Sequence, residues 1–327
     1  MSLPNPLLSI CIPTYNRPEL LERALLSITT AQINTDALEI VISDNSTNSD
    51  SREVSERVLS SWTGRWRYLH NDPGLYVIDN FNHAIFNSSA DFVLSLGDDD
   101  YFLPEGVTTA LETLTQHSQY DCFLLGVHMV TLKGQVLKRQ SVNRDCFLDP
   151  RDAYLRVLSD SSYVRESGVM LRKSTFDTAG HYDSEAGNLA DLDMWLRLFK
   201  TTGLYRASGA AVAVTAHAGA ITNAASFHQE ALGDLLTRFE RERASGFVNE
   251  DVFEKATSTF LYQYVLAGVW RSLRARDMEQ ARATFDLLGK LPDYTKDVPD
   301  KWFFPWLGAS VLFRFYDMGR RLGLSFG

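Results

Sequence analysis

The stretch LLSICIPTYNRPELLERALLSI, residues 7–28, decides the fold class. Residues 7–13 form a largely apolar run, which predicts a buried β-strand. Pro18 follows at a position where the first turn of a helix tolerates proline. Behind it, apolar residues recur at helical spacing: Leu20, Leu21, Ala24, Leu25 and Ile28. A strand that leads directly into a crossover helix is the beginning of a βαβ unit, so this stretch predicts an α/β fold.

Three further strands are predicted in the first hundred residues. LEIVISD (residues 38–44) is expected to be the second strand, RYLH (67–70) a short third, and DFVLSL (91–96) another buried strand. A helix is predicted over residues 79–87. Strands that alternate with helices in this way predict a Rossmann-like, mainly parallel central sheet flanked by helices.

The second half of the chain changes character. A helix after Pro104, a hairpin around Lys133 and Gly134, and a helix over residues 189–200 complete the predicted α/β part. Beyond about Ser226 strand signals vanish, and apolar residues keep helical spacing. We therefore predict a catalytic domain over residues 1–225 and a helical region over residues 226–327.

Bulk composition excludes several classes of protein. The net charge of −9 and pI near 5.3 argue against a nucleic-acid partner, because such binding depends on phosphate neutralisation. Three widely spaced cysteines suggest neither a disulfide framework nor a zinc site, so a reducing cytoplasm is expected. The N-terminus does not resemble a signal peptide, and no stretch approaches the roughly 20 apolar residues of a membrane span.

Polar residues cluster after three predicted strands. They are PTYNR (residues 13–17), SDNS (43–46) and GDDD (97–100). In an open α/β sheet, ligands bind beyond the carboxyl ends of the strands. We therefore expect these three segments to face one crevice.

The aspartate run after residue 97 has two interpretations. Neighbouring carboxylates repel one another unless a cation or hydrogen bonds compensate. Mg²⁺ or Mn²⁺ would compensate, and such ions bind one or two carboxylates together with substrate phosphates. A solvated turn that precedes the next helix is the alternative, and the run alone leaves the two about equally supported.

The other two segments suit a nucleotide. Asp44 can accept hydrogen bonds from a base or a ribose, and Thr14, Tyr15 and Arg17 can supply hydrogen bonds and stacking. Ordinary loop chemistry, with Asx turns and a helix start, explains the same residues. Neither GxGxxG nor GxxxxGK[ST] is present, which disfavours a dinucleotide and leaves phosphate charge to a metal.

Together these motifs resemble glycosyltransferase family 2, whose members use the GT-A fold. The resemblance rests on the order and spacing of four segments: SICIPTYNRPELLERALLSI, IVISDNS, LSLGDDDYFLP, and AGHYDS with ADLDMWLRL. It implies an inverting transfer from a nucleoside-diphosphate sugar, of UDP or TDP type, to a hydroxyl of a saccharide. It also implies bacterial surface polysaccharide or O-antigen synthesis.

The resemblance assigns roles to particular residues. Asp99 corresponds to the metal-binding aspartate and Asp191 to the general base, while His217 resembles a histidine that completes the metal shell. Gly97 and Ala190 depart from the family, because many relatives have acidic residues there. The donor-binding residues implied by the resemblance are Pro13, Thr14, Tyr15, Arg17, Asp44, Asn80 and Asp98.

Several alternatives stay open from the sequence. Asp191 would also suit a helix N-terminus, and a lone histidine such as His217 is more often structural. The C-terminal WFFPWLGASVLFRFYDMGRRLGLSFG combines aromatic residues with arginines, and suits a membrane surface, a packed helix or a homodimer contact equally well. The resemblance implies a saccharide acceptor that is lipid-linked in many members of the family. A catalytically inactive nucleotide- or sugar-binding module and a nucleotidyltransferase remain the competing functions.

Overall fold

The computed structural model describes residues 5–217 and 229–321. These residues form two compact units, one of residues 5–154 and 164–217, the other of residues 155–163 and 229–321. The predicted domain boundary after residue 225 lies outside the described residues, so it stays a prediction.

Twelve strands are present in the described residues, all in the first unit. They are β1 (Leu8–Thr14), β2 (Leu38–Asp44), β3 (Arg65–His70), β4 (Phe92–Ser95), β5 (Tyr101–Phe102), β6 (Cys122–Leu124), β7 (Val127–Thr131), β8 (Val136–Gln140), β9 (Cys146–Leu148), β10 (Val169–Arg172), β11 (Leu204–Arg206) and β12 (Val212–Ala216).

The α-helices of the described residues surround the sheets and build the second unit. They are α1 (Pro18–Thr29), α2 (Asp50–Leu59), α3 (Val77–Phe86), α4 (Gly106–Gln116), α5 (Pro150–Ser159), α6 (Thr175–Ala179), α7 (Ala190–Thr202), α8 (Gln229–Ser245), α9 (Glu250–Arg274), α10 (Met278–Asp286), α11 (Pro292–Thr295) and α12 (Asp300–Arg321). Short 3₁₀ helices cover Thr35–Ala37, Glu166–Gly168, Ser184–Leu189 and Leu288–Lys290.

The parallel part of the large sheet is the part that the sequence predicts. Strands β3, β2, β1 and β4 are neighbours in that order, and all three pairings are parallel. Every residue of β1 is buried, as in a strand covered on both faces. Pro18 begins α1, and its predicted apolar face packs into the core through Leu21, Ala24, Leu25 and Ile28.

The remaining strands make the large sheet mixed. Beyond β4 the order continues with β10, β6, β11 and β9, and only β6 with β11 is parallel. The sheet therefore has four parallel and three antiparallel pairings. The α/β class with a Rossmann-like half is confirmed, but the parallel character is confined mainly to that half.

A second, four-stranded sheet carries β12 towards the aspartate run. Its order is β5, β12, β7 and β8, and β7 with β8 forms the predicted hairpin, in which Gly134 has a φ of 77°. β5 directly follows the aspartates and pairs antiparallel with β12. The residues just after Val214 are therefore brought back beside residues 98–100.

The second unit confirms the predicted helical C-terminal region. Helix α9 begins where Asn249 Oδ1 accepts a 3.0 Å hydrogen bond from the Val252 backbone, a standard N-cap. Phe239, Phe253 and Phe260 pack edge to face between α8 and α9. None of the helices in the described ranges has the length and apolar character needed to cross a membrane.

Candidate active site

Two adjacent aspartates at the carboxyl end of β4 are bound by groups that follow β1. Thr14 Oγ1 donates a 2.9 Å hydrogen bond to Asp98 Oδ2. Arg17 Nη1 lies 3.2 Å from Asp98 Oδ1 and 3.5 Å from Asp99 Oδ2. The predicted PTYNR and GDDD segments are therefore in direct contact.

The environment of Asp98 disfavours its negative charge. Asp98 is only 5% exposed. Burial raises the pKa of its carboxyl to about 6; the charge of Asp99 adds to the rise, and Arg17 and Thr14 oppose it. A further positive group beside these carboxylates would lower the free-energy cost of ionising Asp98. The pair is therefore electrostatically suited to a cationic ligand.

His217 contacts Asp99 from a distant part of the chain. Its Nε2 lies 2.8 Å from Asp99 Oδ2, although 118 positions separate the two residues. Arg23 fixes this arrangement, because its Nη2 donates to the backbone oxygen of Asp99 and, at 3.0 Å, to Thr215 Oγ1. The structure thus brings together the two residues that the sequence assigned to metal binding.

Asp100 links the aspartate run to Ser167 and to β12. It accepts a 2.5 Å hydrogen bond from Ser167 Oγ and a 2.8 Å hydrogen bond from the Thr215 backbone. Burial, followed by the charge of Asp99, raises the pKa of its carboxyl to about 7. Asp100 therefore braces the loop against β12.

The glycine before the aspartates also has a structural reason. A Cβ at Gly97 would lie 2.9 Å from Asp99 Oδ1, closer than such atoms normally approach. A side chain at this position would require the Asp99 carboxylate to shift. Gly97 is thus compatible with the observed position of Asp99, and leaves Asp98 and Asp99 as the carboxylates of this loop.

Asp99 and His217 have the chemistry of a partial metal site. Adjacent ligands on an octahedral ion with bonds of about 2.1 Å lie about 3 Å apart, close to the 2.8 Å between Asp99 Oδ2 and His217 Nε2. Within residues 5–217 and 229–321, no group of three or more His, Cys, Asp or Glu side chains is arranged to hold a metal ion. The two groups therefore fit an ion whose other positions are filled by phosphate oxygens and water.

A cavity of about 350 Å³ opens beyond β2 and β3. Asp44 does not line the cavity: it is fully buried next to two lining residues, and accepts hydrogen bonds from Tyr68 Oη and, at 2.8 Å, from the Ser46 backbone. His70 Nδ1 lies 4.0 Å from Asp44 Oδ2, and the Arg52 guanidinium lies 5.0 Å from the centre of the Tyr68 ring. The cavity has the size and polar groups of a nucleobase site.

Sequence reasoning missed three residues of this cavity. Arg52, Tyr68 and His70 line it together with the loop after β2. The parallel register pairs Asp44 with His70, and Tyr68 lies two residues earlier on the same face of β3. The alternation of side chains along the predicted third strand, which puts Tyr68 and His70 on one face, was the signal that could have identified these two.

Asn80 has a different place from the one its assigned role suggests. It is 2% exposed, and its Nδ2 donates to Asn45 Oδ1 at 3.1 Å. Its Oδ1 accepts hydrogen bonds from Ser43 Oγ at 2.7 Å and from Asn71 Nδ2 at 3.0 Å. Asn80 thus joins the loops after the parallel strands, so its effect on a nucleotide would come through their positions. Tyr15, another residue predicted to bind the donor, is by contrast 45% exposed.

Asp191 is the open aspartate at the start of α7. Its neighbour Asp193 is 2% exposed and pairs with Arg197 at 2.8 Å, one helical turn further along α7. Asp191 is exposed, and its Oδ1 accepts a 2.6 Å hydrogen bond from the Leu192 backbone. The surrounding protein removes part of the water around its carboxyl and so raises the pKa, although the side chain also reaches solvent.

Residues 165–167 connect Asp191 to the aspartate loop. Arg165 and Glu166 interact electrostatically with Asp191, and Ser167 Oγ accepts a 3.2 Å hydrogen bond from the Gly97 backbone. Burial raises the pKa of the Glu166 carboxyl to about 8, while Tyr182 Oη donates to Glu166 Oε1 at 2.6 Å. Asp191 therefore lies on the side of the site that residues 165–167 border.

Residues 9–165 match the family model of glycosyl transferase family 2. This part of the chain, 157 of its 327 residues, belongs to this family. The match includes β1, β2, β4 and the aspartate run, which are the elements that build the site. Asp191 and His217 lie beyond the matched residues, so the match does not test their assigned roles.

One curated relative is the GalNAc(5)-diNAcBac-PP-undecaprenol beta-1,3-glucosyltransferase of Campylobacter jejuni. It is 24% identical over 203 residues, which cover 61% of this chain. The chain spans 62% of that relative, less than two thirds of its length.

Two solved structures share the fold. The S. aureus TarS fragment 1–349 in complex with UDP-GlcNAc has a TM-score of 0.60 and 16% identity, over 85% of this chain and 90% of that one. The Pyrobaculum calidifontis mannosyltransferase PcManGT, in complex with GDP-Man and Mn²⁺, has a TM-score of 0.56 and 15% identity, over 97% and 81%. These similarities show the GT-A fold.

Proposed function

We propose that this protein is an inverting glycosyltransferase that moves a sugar from a nucleoside-diphosphate donor to a hydroxyl of a saccharide acceptor. The observation that carries the proposal is the contact of Thr14 and Arg17 with Asp98, and of Asp99 with His217, at the carboxyl ends of β1 and β4. Family membership supports the same chemistry. The pattern fits a diphosphate held between a metal-binding aspartate and an arginine.

The donor's base would occupy the cavity beyond β2 and β3. Asp44 accepts the hydrogen of Tyr68 Oη and so would hold the Tyr68 ring in place, while Thr47, Asn48 and His70 are polar residues that line the cavity. An imide base such as uracil or thymine, with one N–H between two carbonyl oxygens, can pair with side chains of this kind. A uridine or thymidine diphosphate sugar is therefore the donor class that we propose.

Asp191 would act as the general base. Its carboxylate takes the proton of the acceptor hydroxyl while that oxygen forms a bond to the anomeric carbon of the donor. The bond from the anomeric carbon to the diphosphate breaks, and its electron pair leaves with the nucleoside diphosphate. Attack from the opposite face inverts the configuration, and no covalent intermediate forms. Mg²⁺ or Mn²⁺ at Asp99 and His217 would stabilise the charge of the leaving diphosphate.

We propose a lipid-linked saccharide as the acceptor, in bacterial surface polysaccharide synthesis. The Campylobacter jejuni relative is named for an acceptor linked to PP-undecaprenol. Helix α12 supports this class of acceptor, because apolar side chains are exposed along it. They are Phe303, Phe304, Leu307, Val311, Phe315 and Met318, of which Phe304 is the most exposed at 79%.

The exposed side chains of α12 form one continuous face. At about 100° per residue they lie within an arc of about 120°, whereas Ala309, Phe313 and Tyr316 are buried on the opposite side. The exposed Lys301 lies just outside one edge of the apolar face, and the exposed Arg314 lies within the face near its other edge. An apolar face that carries basic residues suits an anionic bilayer, so we propose peripheral contact with the inner face of the membrane.

The double variant Phe304→Ser, Phe315→Ser is expected to lower partition onto phosphatidylglycerol vesicles by about 100-fold or more, because each Phe contributes about 1.5–3 kcal/mol when buried. Cosedimentation with vesicles checks this. Phe86→Ser, which alters another exposed phenylalanine, should bind as wild type does. Unchanged partition would contradict the membrane assignment. If wild type forms a dimer and the double variant is a monomer, the face is instead a homodimer contact.

Product analysis tests the proposed reaction. Wild type would be incubated with Mn²⁺, a panel of nucleotide sugars and polyprenyl-diphosphate-linked saccharides, and the released phosphorus species would be identified. Acceptor-dependent release of a nucleoside diphosphate is expected. In a parallel incubation with nucleoside triphosphates and a sugar phosphate, release of pyrophosphate would instead indicate a nucleotidyltransferase. Nucleotide binding without release from any donor would favour an inactive binding module.

A further inference from the structure

We infer that Arg17 couples the binding of the divalent cation to the binding of the donor diphosphate. This inference rests on the proposed donor site and adds to it a coupling between the two ligands. The starting observation is that the Arg17 guanidinium contacts both carboxylates of the aspartate pair, at 3.2 Å from Asp98 and 3.5 Å from Asp99.

The contact with Asp99 involves the same oxygen that faces His217. Asp99 Oδ2 lies 2.8 Å from His217 Nε2 and 3.5 Å from Arg17 Nη1. A divalent cation shared by Asp99 and His217 would lie about 2.1 Å from this oxygen. Arg17 and the cation would then be neighbours with like charges, and the guanidinium would have to leave Asp99 for the cation to bind.

The diphosphate would provide the new partner for Arg17. A guanidinium matches phosphate oxygens with parallel hydrogen bonds, and the charge attraction persists after the arginine has left the carboxylates. The Arg17 side chain is 31% exposed and precedes α1, so it can turn from Asp99 without disturbing the core. The negative charge of the diphosphate therefore removes the competitor of the cation.

Two consequences follow for binding equilibria. The cation alone competes with Arg17 and binds weakly, whereas the diphosphate strengthens cation binding. Linkage requires that the cation strengthens diphosphate binding by the same factor. We expect this factor to be about 10- to 100-fold in the wild type, within the usual range of such coupling.

Removal of the guanidinium gives effects of opposite sign on the two ligands. In Arg17→Gln, Mn²⁺ alone is expected to bind about 10-fold more tightly than to wild type, because a positive charge beside Asp99 has gone. UDP alone is expected to bind more weakly, and the coupling factor is expected to fall several-fold. Arg17→Lys keeps the charge and should retain most of the competition with Mn²⁺.

Electron paramagnetic resonance of free Mn²⁺, with and without saturating UDP, measures these quantities. The control is Arg57→Gln, which alters an exposed arginine that pairs with Glu22 and should bind Mn²⁺ as wild type does. Equal Mn²⁺ affinity of wild type and Arg17→Gln, with both proteins folded and binding Mn²⁺, would overturn the role of Arg17 and leave the proposed function standing. Absence of Mn²⁺ binding from both proteins, even with UDP, would instead refute the metal site.

Discussion

Asp191→Asn is expected to lower kcat by about 10²- to 10⁴-fold, the usual contribution of a general base. Asparagine has the same shape but cannot accept the proton of the acceptor hydroxyl. The residues of the proposed donor site, Asp44, Asp98 and Asp99, are unchanged in this variant, so donor affinity should stay near the wild-type value. Steady-state kinetics with calorimetric titration of the nucleoside diphosphate separate the two effects.

The pH profile adds a second readout for Asp191. Its pKa lies above the ordinary value for aspartate, and only the ionised carboxylate can act as the base. We therefore expect kcat/KM to rise with pH through this raised pKa and then level off. The control is Asp177→Asn in α6, an exposed aspartate that should keep the wild-type rate and profile. A wild-type rate for Asp191→Asn would assign the base elsewhere.

The second large effect concerns the metal site. Asp99→Asn is expected to lower kcat/KM by about 10³-fold, because charge stabilisation of the leaving diphosphate accounts for several kcal/mol. His217→Gln should raise the Mn²⁺ concentration for half-maximal rate by about 10- to 100-fold, the range for weakened support of a metal ligand. Metal titrations of the initial rate measure both changes.

Chelation tests the same site without mutation. Wild type treated with EDTA should lose activity and recover it when Mn²⁺ is added. In Asp99→Asn, higher Mn²⁺ should restore little of the rate, because the ligand itself is missing. Full activity of wild type in EDTA would show that this chain works without a divalent cation, and would remove the role assigned to Asp99 and His217.

The parallel half of the fold was predictable from local patterns, whereas the antiparallel part was not. In β1, β2 and β4 whole apolar runs are buried on both sides, so the strand signal is strong. β10 has four residues and β12 follows a bend, and their partners lie far away in sequence. Pairing between distant short strands depends on tertiary packing, which periodicity does not report.

The residues of the site divide in the same way. Asp98, Asp99 and Arg17 follow strong strands, so their convergence was predictable from sheet geometry. His217 was assigned through resemblance, and the structure supplies the 2.8 Å contact with Asp99. Arg23 was missed because it lies in the middle of α1, where a charged residue at a solvent position is the ordinary expectation. Its bond to the Asp99 backbone arises only from the fold.

Thermal unfolding of wild type, Asp99→Ala and Asp234→Ala with UDP, TDP, GDP and CDP, each with and without Mn²⁺, tests the central claim most directly. A ligand present at 100 times its Kd stabilises the folded state by about 2.7 kcal/mol, which gives a measurable rise in Tm. We predict that one diphosphate, UDP or TDP, raises the Tm of wild type much more with Mn²⁺ than without it, and that Asp99→Ala loses this Mn²⁺-dependent rise. Asp234→Ala, which alters an exposed aspartate of α8, should keep it. No rise with any nucleotide, or an equal rise in Asp99→Ala, would contradict a metal-assisted nucleotide-sugar site at these residues.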